Sequence, residues 1–134
     1  MAYTFDENIV SDLHKDAYGF RPSSYFWDSW KQSNADQKQR IWDGLLADLD
    51  AEIERDRNAK LQAVAEYERM VATNMQHGAQ NRADAVRWIV QSLGLDEMDL
   101  RYGGSRVCYE LGLPFEMEKE FDAICGELLD KIAA

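Results

Sequence analysis

Between Ser33 and Gly78 the chain runs for more than forty residues with no proline and a single glycine, Gly44. Such a stretch has few ways to turn, because proline and glycine are the residues that break a helix. Its apolar residues fall into a heptad register. One seam position takes Leu46, Ile53, Lys60, Tyr67 and Asn74, and the other takes Trp42, Leu49, Asp56, Ala63 and Met70. The seam is apolar at both ends and polar in the middle, where "ERDRNAK" intervenes. Ser33 followed by Asp36 reads as a capping box, with Asp in the role usually filled by Glu or Gln, and Gly78 is a stop. Two arrangements satisfy the pattern. A continuous helix would be about 60 Å long at ~1.5 Å per residue and would need a partner along its length; a homodimer supplies one. A helical hairpin reversing near Arg57–Asn58 is the alternative. No glycine or proline marks a turn there, which favours the continuous helix.

The flanking segments also read as helices. In "ENIVSDLHKDAYG", Ile9, Val10, Leu13 and Ala17 recur at helical spacing, with Gly19 as a left-handed stop. His14, Lys15 and Asp16 then form the solvated side. "FRP" interrupts, since Arg21 precedes Pro22, and a second helix restarts at Pro22 or Ser23. After Gly78, Asn81 is an N-cap for a helix ending at Gly94, whose buried face takes Ala85, Trp88, Ile89 and Leu93. "LDEMDLRYGG" reads as a polar connection and "SRVCYELG" as a short helix. Pro114 opens the last helix, which buries Phe115, Phe121, Ile124, Cys125, Leu128 and Ile132. No period-two pattern competes. The expected fold is therefore all-α, a single helical domain at residues 1–134. Its parts are N-terminal aromatic helices (1–34), a long central helix (35–78) and C-terminal helices (79–134).

Charge narrows the function. The net charge is −10 over 134 residues, spread as −2, −3 and −5 across those three segments. Direct nucleic-acid binding needs clustered Lys and Arg and is not expected; a protein partner with a basic face is favoured electrostatically. No apolar run approaches the ~18 residues of a membrane span. "MAYTFDENIV" carries Asp6 and Glu7 where a secretory signal carries Lys or Arg, so the cytoplasm is expected. Cys108 and Cys125 form neither a disulfide framework nor a CxxC pair and are expected to be buried thiols.

Catalytic patterns are missing. Only His14 and His77 exist, neither in HExxH nor beside a cysteine pair, so no metal is expected. The acids of "DEMDLRYGG" do not match a calcium loop. Nucleotide-cradling GxxxxGK[ST] and GxGxxG are absent, as is GxSxG, and no cofactor is expected. Nothing local activates Cys108, even if His14 met it in space. The chain reads as a binding protein and not as an enzyme.

"YGFRPSSYFWDSW" is the candidate docking surface. Tyr18, Phe20, Arg21, Tyr25, Phe26, Trp27 and Trp30 are residue types enriched in binding hot spots, and one helix face cannot hold them all. We single out Tyr18, Phe20, Arg21, Tyr25, Trp27 and Trp30 as partner-binding residues, with Tyr25 or Trp27 exposed. A second candidate is a pocket for a nucleotide-like molecule, drawing on Arg87, Trp88, Arg101, Tyr102, Arg106 and Tyr109, with Arg21 as a further phosphate ligand.

"DLHKDAYGFRP" resembles the opening of a group of small uncharacterised proteins of tailed bacteriophages. "RADAVRWIVQSLG", followed after a spacer by "VCYELGLPF", resembles the second half of the same group. The resemblance covers about a third of the chain and implies phage origin with no agreed activity. Juxtaposition of the two motifs would place Tyr18, Arg21, Trp88 and Tyr109 in one locus. The expected function is that of an accessory protein, working in the host cytoplasm as a homodimer. It would modulate a host protein in take-over or counter-defence, with an acidic DNA-like surface as one means. A helical sponge for a nucleotide-like signal and a structural or assembly component are the alternatives.

Overall fold

The computed structural model describes residues 2–134. Among these residues seven α-helices follow in order, α1 (Val10–Tyr18), α2 (Ser24–Gln32), α3 (Ala35–Gln76), α4 (Arg82–Ser92), α5 (Glu97–Arg101), α6 (Gly104–Leu111) and α7 (Lys119–Ala133). A 3-10 turn, Phe115–Met117, precedes α7. There is no strand among the described residues. The fold is all-helical, with a long central helix and shorter helices packed on its two ends.

The central helix is continuous over 42 residues and does not reverse at Arg57–Asn58. It begins at Ala35 as expected, but its cap is one residue later than Ser33. Asn34 caps it: the Gln37 N–H donates to Asn34 Oδ1 and the Asn34 N–H to Gln37 Oε1, both at 2.9 Å. This reciprocal box uses the usual Gln at its third position, so it displaces the Ser33–Asp36 pairing. Ser33 instead terminates α2, its hydroxyl donating to the Ser29 carbonyl.

Packing divides the chain into two compact units, Met1–Arg57 and Asn58–Ala134, and the division falls inside α3. The polar mid-seam is the reason. Residues 53–62 are all exposed and bury nothing that could tie one core to the other. Ion pairs of the i,i+3 kind, Arg55–Glu52 at 2.6 Å and Arg57–Glu54 at 3.1 Å, run along this stretch. Each adds ~0.2–0.5 kcal/mol to the helix.

Unit 1 is built on Val10, Leu13, Trp30, Trp42 and Leu45, with Phe5, Phe26, Trp27, Ile41 and Leu49 packed around them. The N-terminal segment is pinned to α3 through Gln39. Its Oε1 accepts from the Thr4 and Phe5 N–H groups at 2.8 and 3.2 Å, and its Nε2 donates to Thr4 Oγ1. Phe5 thereby reaches Trp30 edge-on, with ring centroids 5.7 Å apart. α1 stops at Gly19, whose φ of 87° is a left-handed conformation that favours glycine.

Unit 2 gathers Tyr67 and Val71 of α3 with residues from α4 to α7, among them Val86, Ile89, Val90, Val107, Cys108, Phe121, Ile124 and Cys125. Asn81 caps α4 as expected, accepting from the Asp84 N–H at 2.9 Å. The segment read as a polar connection is in fact α5, started by a capping box between Asp96 and Asp99. Three core expectations are corrected. Trp88 is exposed because α4 buries Val86 and Val90 beside Ala85 and Ile89. Phe115 is exposed because Pro114 leads into the 3-10 turn, so α7 begins only at Lys119 and Leu113 fills the core instead. Ile132 is exposed on the last turn of α7, beyond the main core.

Candidate docking surface and cavities

The aromatic corner of unit 1 separates into core and surface. Trp30 is 3% exposed and belongs to the core, which corrects its assignment as a contact residue. It lies within centroid distances of 5.7 and 6.1 Å of Phe5 and Phe26, and Lys38 Nζ sits 5.4 Å from its centroid. Trp27 is half-buried against the same core. Tyr18, Phe20 and Tyr25 remain 44%, 63% and 85% exposed. Arg21 is exposed too, donating to Asp12 Oδ1 at 2.7 Å and to Ser11 Oγ at 3.1 Å.

His14 organises the corner from beneath, and its placement on the solvated side of α1 is corrected. It is buried, and its ring is edge-on to Tyr18, Phe20 and Phe26 at centroid distances of 4.8, 5.4 and 5.2 Å. Nδ1 lies 2.8 Å from the Phe20 carbonyl, an acceptor only, so Nδ1 carries the proton. This bond anchors the turn that presents Phe20. The signal was present in the sequence: Val10, Leu13, His14 and Ala17 complete one helical stripe. Ile9, by contrast, is exposed at the N-cap position.

Carboxylates adjoin the exposed rings. The Tyr18 hydroxyl donates to Asp48 Oδ2, and that bond, ahead of burial and charge, raises the phenol pKa. Beside it a polar cavity of about 390 Å³ is lined by Asp16, Tyr18, Glu52, Arg55 and Asp56, among others. Unit 1 carries twelve acids against seven Lys and Arg. The outcome is an apolar, aromatic corner set in a negative field.

The six residues read as a ligand pocket do not line one cavity together. Trp88 faces a groove of about 380 Å³ between α3 and α4 with Met70 and Asn74, whereas Arg101 lines a different one with Asp96, Glu97 and Met98. Every guanidinium of the set is engaged by acids. Arg87 pairs with Asp84 at 2.6 Å and Glu127 at 2.9 Å, Arg101 with Glu97 at 2.7 Å, and Arg106 with Asp99 at 3.2 Å and Glu110 at 2.5 Å. Arg106 also lies over Tyr109, 5.2 Å from its centroid, and Tyr102 and Tyr109 are exposed. A phosphate would have to displace these carboxylates. Of the residues suggested for a joint locus, Tyr18 and Arg21 belong to unit 1 and Trp88 and Tyr109 to unit 2.

Both thiols are buried, and burial, with nearby carboxylates adding to it, pushes their pKa values up. That is opposite to an activated nucleophile. No group of three or more His, Cys, Asp and Glu among the described residues is arranged to hold a metal ion. No helix of the described residues is long and apolar enough to cross a membrane.

Tyr67, a seam position of the heptad register, belongs to the core of unit 2. It is fully buried, edge-on to Phe121 at 5.5 Å, and its hydroxyl has no hydrogen-bond partner among the described residues. Glu120 acts on it through charge without reaching hydrogen-bonding geometry. Burial first, then that charge, raises the phenol pKa, while Arg82 opposes it. Arg82 is itself clamped by Glu68 and Glu120 at 2.8 and 2.7 Å. This cluster closes the core and presents no reactive group.

Compared with known proteins, the chain matches no family model, no curated protein and no solved structure.

Proposed function

We propose that this is a non-enzymatic accessory protein of a tailed bacteriophage that binds and modulates a protein of the bacterial host. The observation that carries the reading is the exposed set Tyr18, Phe20 and Tyr25, left in water while Trp30 and Trp42 of the same unit are buried. Large rings left exposed together mark interaction surfaces. The acids around them select a partner with a basic face and steer its approach. A host protein that handles nucleic acid has such a face, and an acidic surface standing in for DNA would compete for it. Take-over of the host and counter-defence both fit this chemistry.

The second part of the proposal is a homodimer. Leu46 and Ile53, seven residues apart on α3, are 39% and 48% exposed, which leaves an apolar heptad position uncovered. Sedimentation should give twice the 15.4 kDa chain mass, and Ile53→Glu should return the monomer. A monomer at every concentration refutes the dimer.

Affinity capture from host lysate tests the docking face. A host protein should be retained at about 50 mM salt and released at about 500 mM, because screening shortens the reach of charge. The double variant Phe20→Ala, Tyr25→Ala should lose it while keeping its helical spectrum. Capture unaffected by salt, or by that variant, removes the basis of the proposal.

A further inference from the structure

Helices α4, α5 and α7 of unit 2 leave a cavity of about 280 Å³ whose wall is hydrocarbon, formed by Val90, Leu95, Leu100, Leu128 and Ile132. Val90 and Leu100 at its floor are buried core residues, and Ile132 at its lip is exposed. Polar character comes from Gln91 and from Lys131, the single charged side chain on the wall.

Lys131 differs from the arginines of its unit. Arg69, Arg82, Arg87, Arg101 and Arg106 each hold a carboxylate, whereas Lys131 makes no ion pair among the described residues. The acid one turn earlier, Glu127, is occupied by Arg87, which reaches it through Nε at 2.9 Å and Nη2 at 3.3 Å. Glu127 is lowered in pKa chiefly by that bond, with Lys131 contributing through charge alone. An unpaired ammonium thus stands at the mouth of an apolar cavity. The ligand that satisfies both features has a hydrocarbon tail and one negative head.

Size limits the tail. A cavity of roughly 150 Å³ lined by Leu, Ile and Phe accepts benzene. About twice that room suits a chain of about six to eight carbons. We propose that this cavity binds a medium-chain aliphatic monocarboxylate, its tail against Val90, Leu100 and Leu128 and its carboxylate on Lys131 Nζ. The inference stands on unit 2 alone and is independent of the docking face on unit 1.

Calorimetric titration of the full chain with butanoate, hexanoate, octanoate, decanoate and octylammonium tests it. Binding should be one to one and strengthen about fourfold per methylene, levelling off near eight carbons when the cavity is full. Octylammonium should bind at least about tenfold more weakly, since it sets like charge against Lys131. Lys131→Gln, at an exposed position, should weaken octanoate about fivefold or more and erase the preference over octylammonium. Leu128→Trp should fill the cavity and abolish binding; Ile132→Trp at the exposed lip does the same job if the first variant does not fold. Four outcomes overturn the proposal: no saturation by octanoate below about 10 mM, equal affinity for octanoate and octylammonium, indifference to Lys131→Gln, or affinity still climbing at decanoate, which marks nonspecific surface adsorption.

Discussion

Replacing Gly104 by alanine should be among the most damaging single-methyl changes in the chain. Gly104 opens α6, and its N–H donates to Asp122 Oδ1 of α7 at 2.7 Å. A β-carbon there would lie 1.9 Å from the Glu118 carbonyl oxygen, 2.6 Å from its carbon and 2.8 Å from Asp122 Oδ1. Ordinary C···O contact begins near ~3.3 Å, so about 1.4 Å must be found between the start of α6 and the turn before α7. The obstacle is backbone and cannot rotate away. Separation would loosen Val107 and Cys108 from Phe121, Ile124 and Cys125, all core residues. Overpacking costs ~1–3 kcal/mol, and straining the charged hydrogen bond adds ~1.5–3 kcal/mol, giving about 2.5–6 kcal/mol together. A unit of this size loses ~4–8 °C in Tm per kcal/mol, so the drop should exceed about 10 °C. Gly44→Ala and Gly126→Ala are the controls. They lie inside α3 and α7 with nothing within 4 Å of the added carbon, and each should stabilise by ~0.5–1 kcal/mol. Urea titrations followed by far-ultraviolet circular dichroism compare the three. A Gly104→Ala protein within about 1 kcal/mol of the parent would refute the close-approach argument.

Asn34→Ala removes one half of the reciprocal cap at the start of α3 and should cost ~1 kcal/mol in the same titration, with Ser33→Ala costing less; the reverse order would restore the Ser33 assignment. Neither thiol should react with an aromatic disulfide reagent in the folded protein, and both should react after denaturation; a fast-reacting native thiol contradicts the burial of Cys108 and Cys125. The hydrogen bond from Arg82 holds the Glu68 carboxyl below its usual range. Its contribution is therefore present above the unfolded carboxylate pKa of ~4.3 and lost as pH falls through the lower folded value. Both side chains are about half exposed, so screening keeps the effect below ~1 kcal/mol, and Arg82→Met should flatten the stability profile in that acid window.

Helix content was legible because it depends on local order. The proline-free stretch predicts α3, Asn81 caps α4 and Gly19 stops α1, each through backbone preferences acting over a few residues. The polar mid-seam also points to the place where packing divides. Errors arose where burial depends on distant partners. Trp30 is covered by Phe5 from the N-terminal segment and sits in one core with Trp42 and Leu45 of α3, so its spacing within α2 could not assign it to the core. His14 was placed on the wrong side because its polarity outweighed a stripe it visibly completes. Trp88 and Phe115 show the opposite failure, aromatic rings expected inside but displaced by Val86, Val90 and Leu113.

The candidate sites follow the same division. Aromatic excess near Arg21 marked the candidate docking corner, and Tyr18, Phe20 and Tyr25 do remain exposed. Of the candidate arginines, Arg87 meets a remote acid, Glu127, 40 residues on, whereas Arg101 and Arg106 meet Glu97 and Glu110 one turn away, pairings that helical spacing already carried. Lys131 gained interest for the converse reason, since chain folding gives its ammonium no carboxylate and sets it beside an apolar hollow. Helices and charge balance were thus settled by the chain's own order, through short-range hydrogen bonding and composition. Which rings meet water, and which cations stay unpaired, was settled only when segments far apart in sequence competed for the same space.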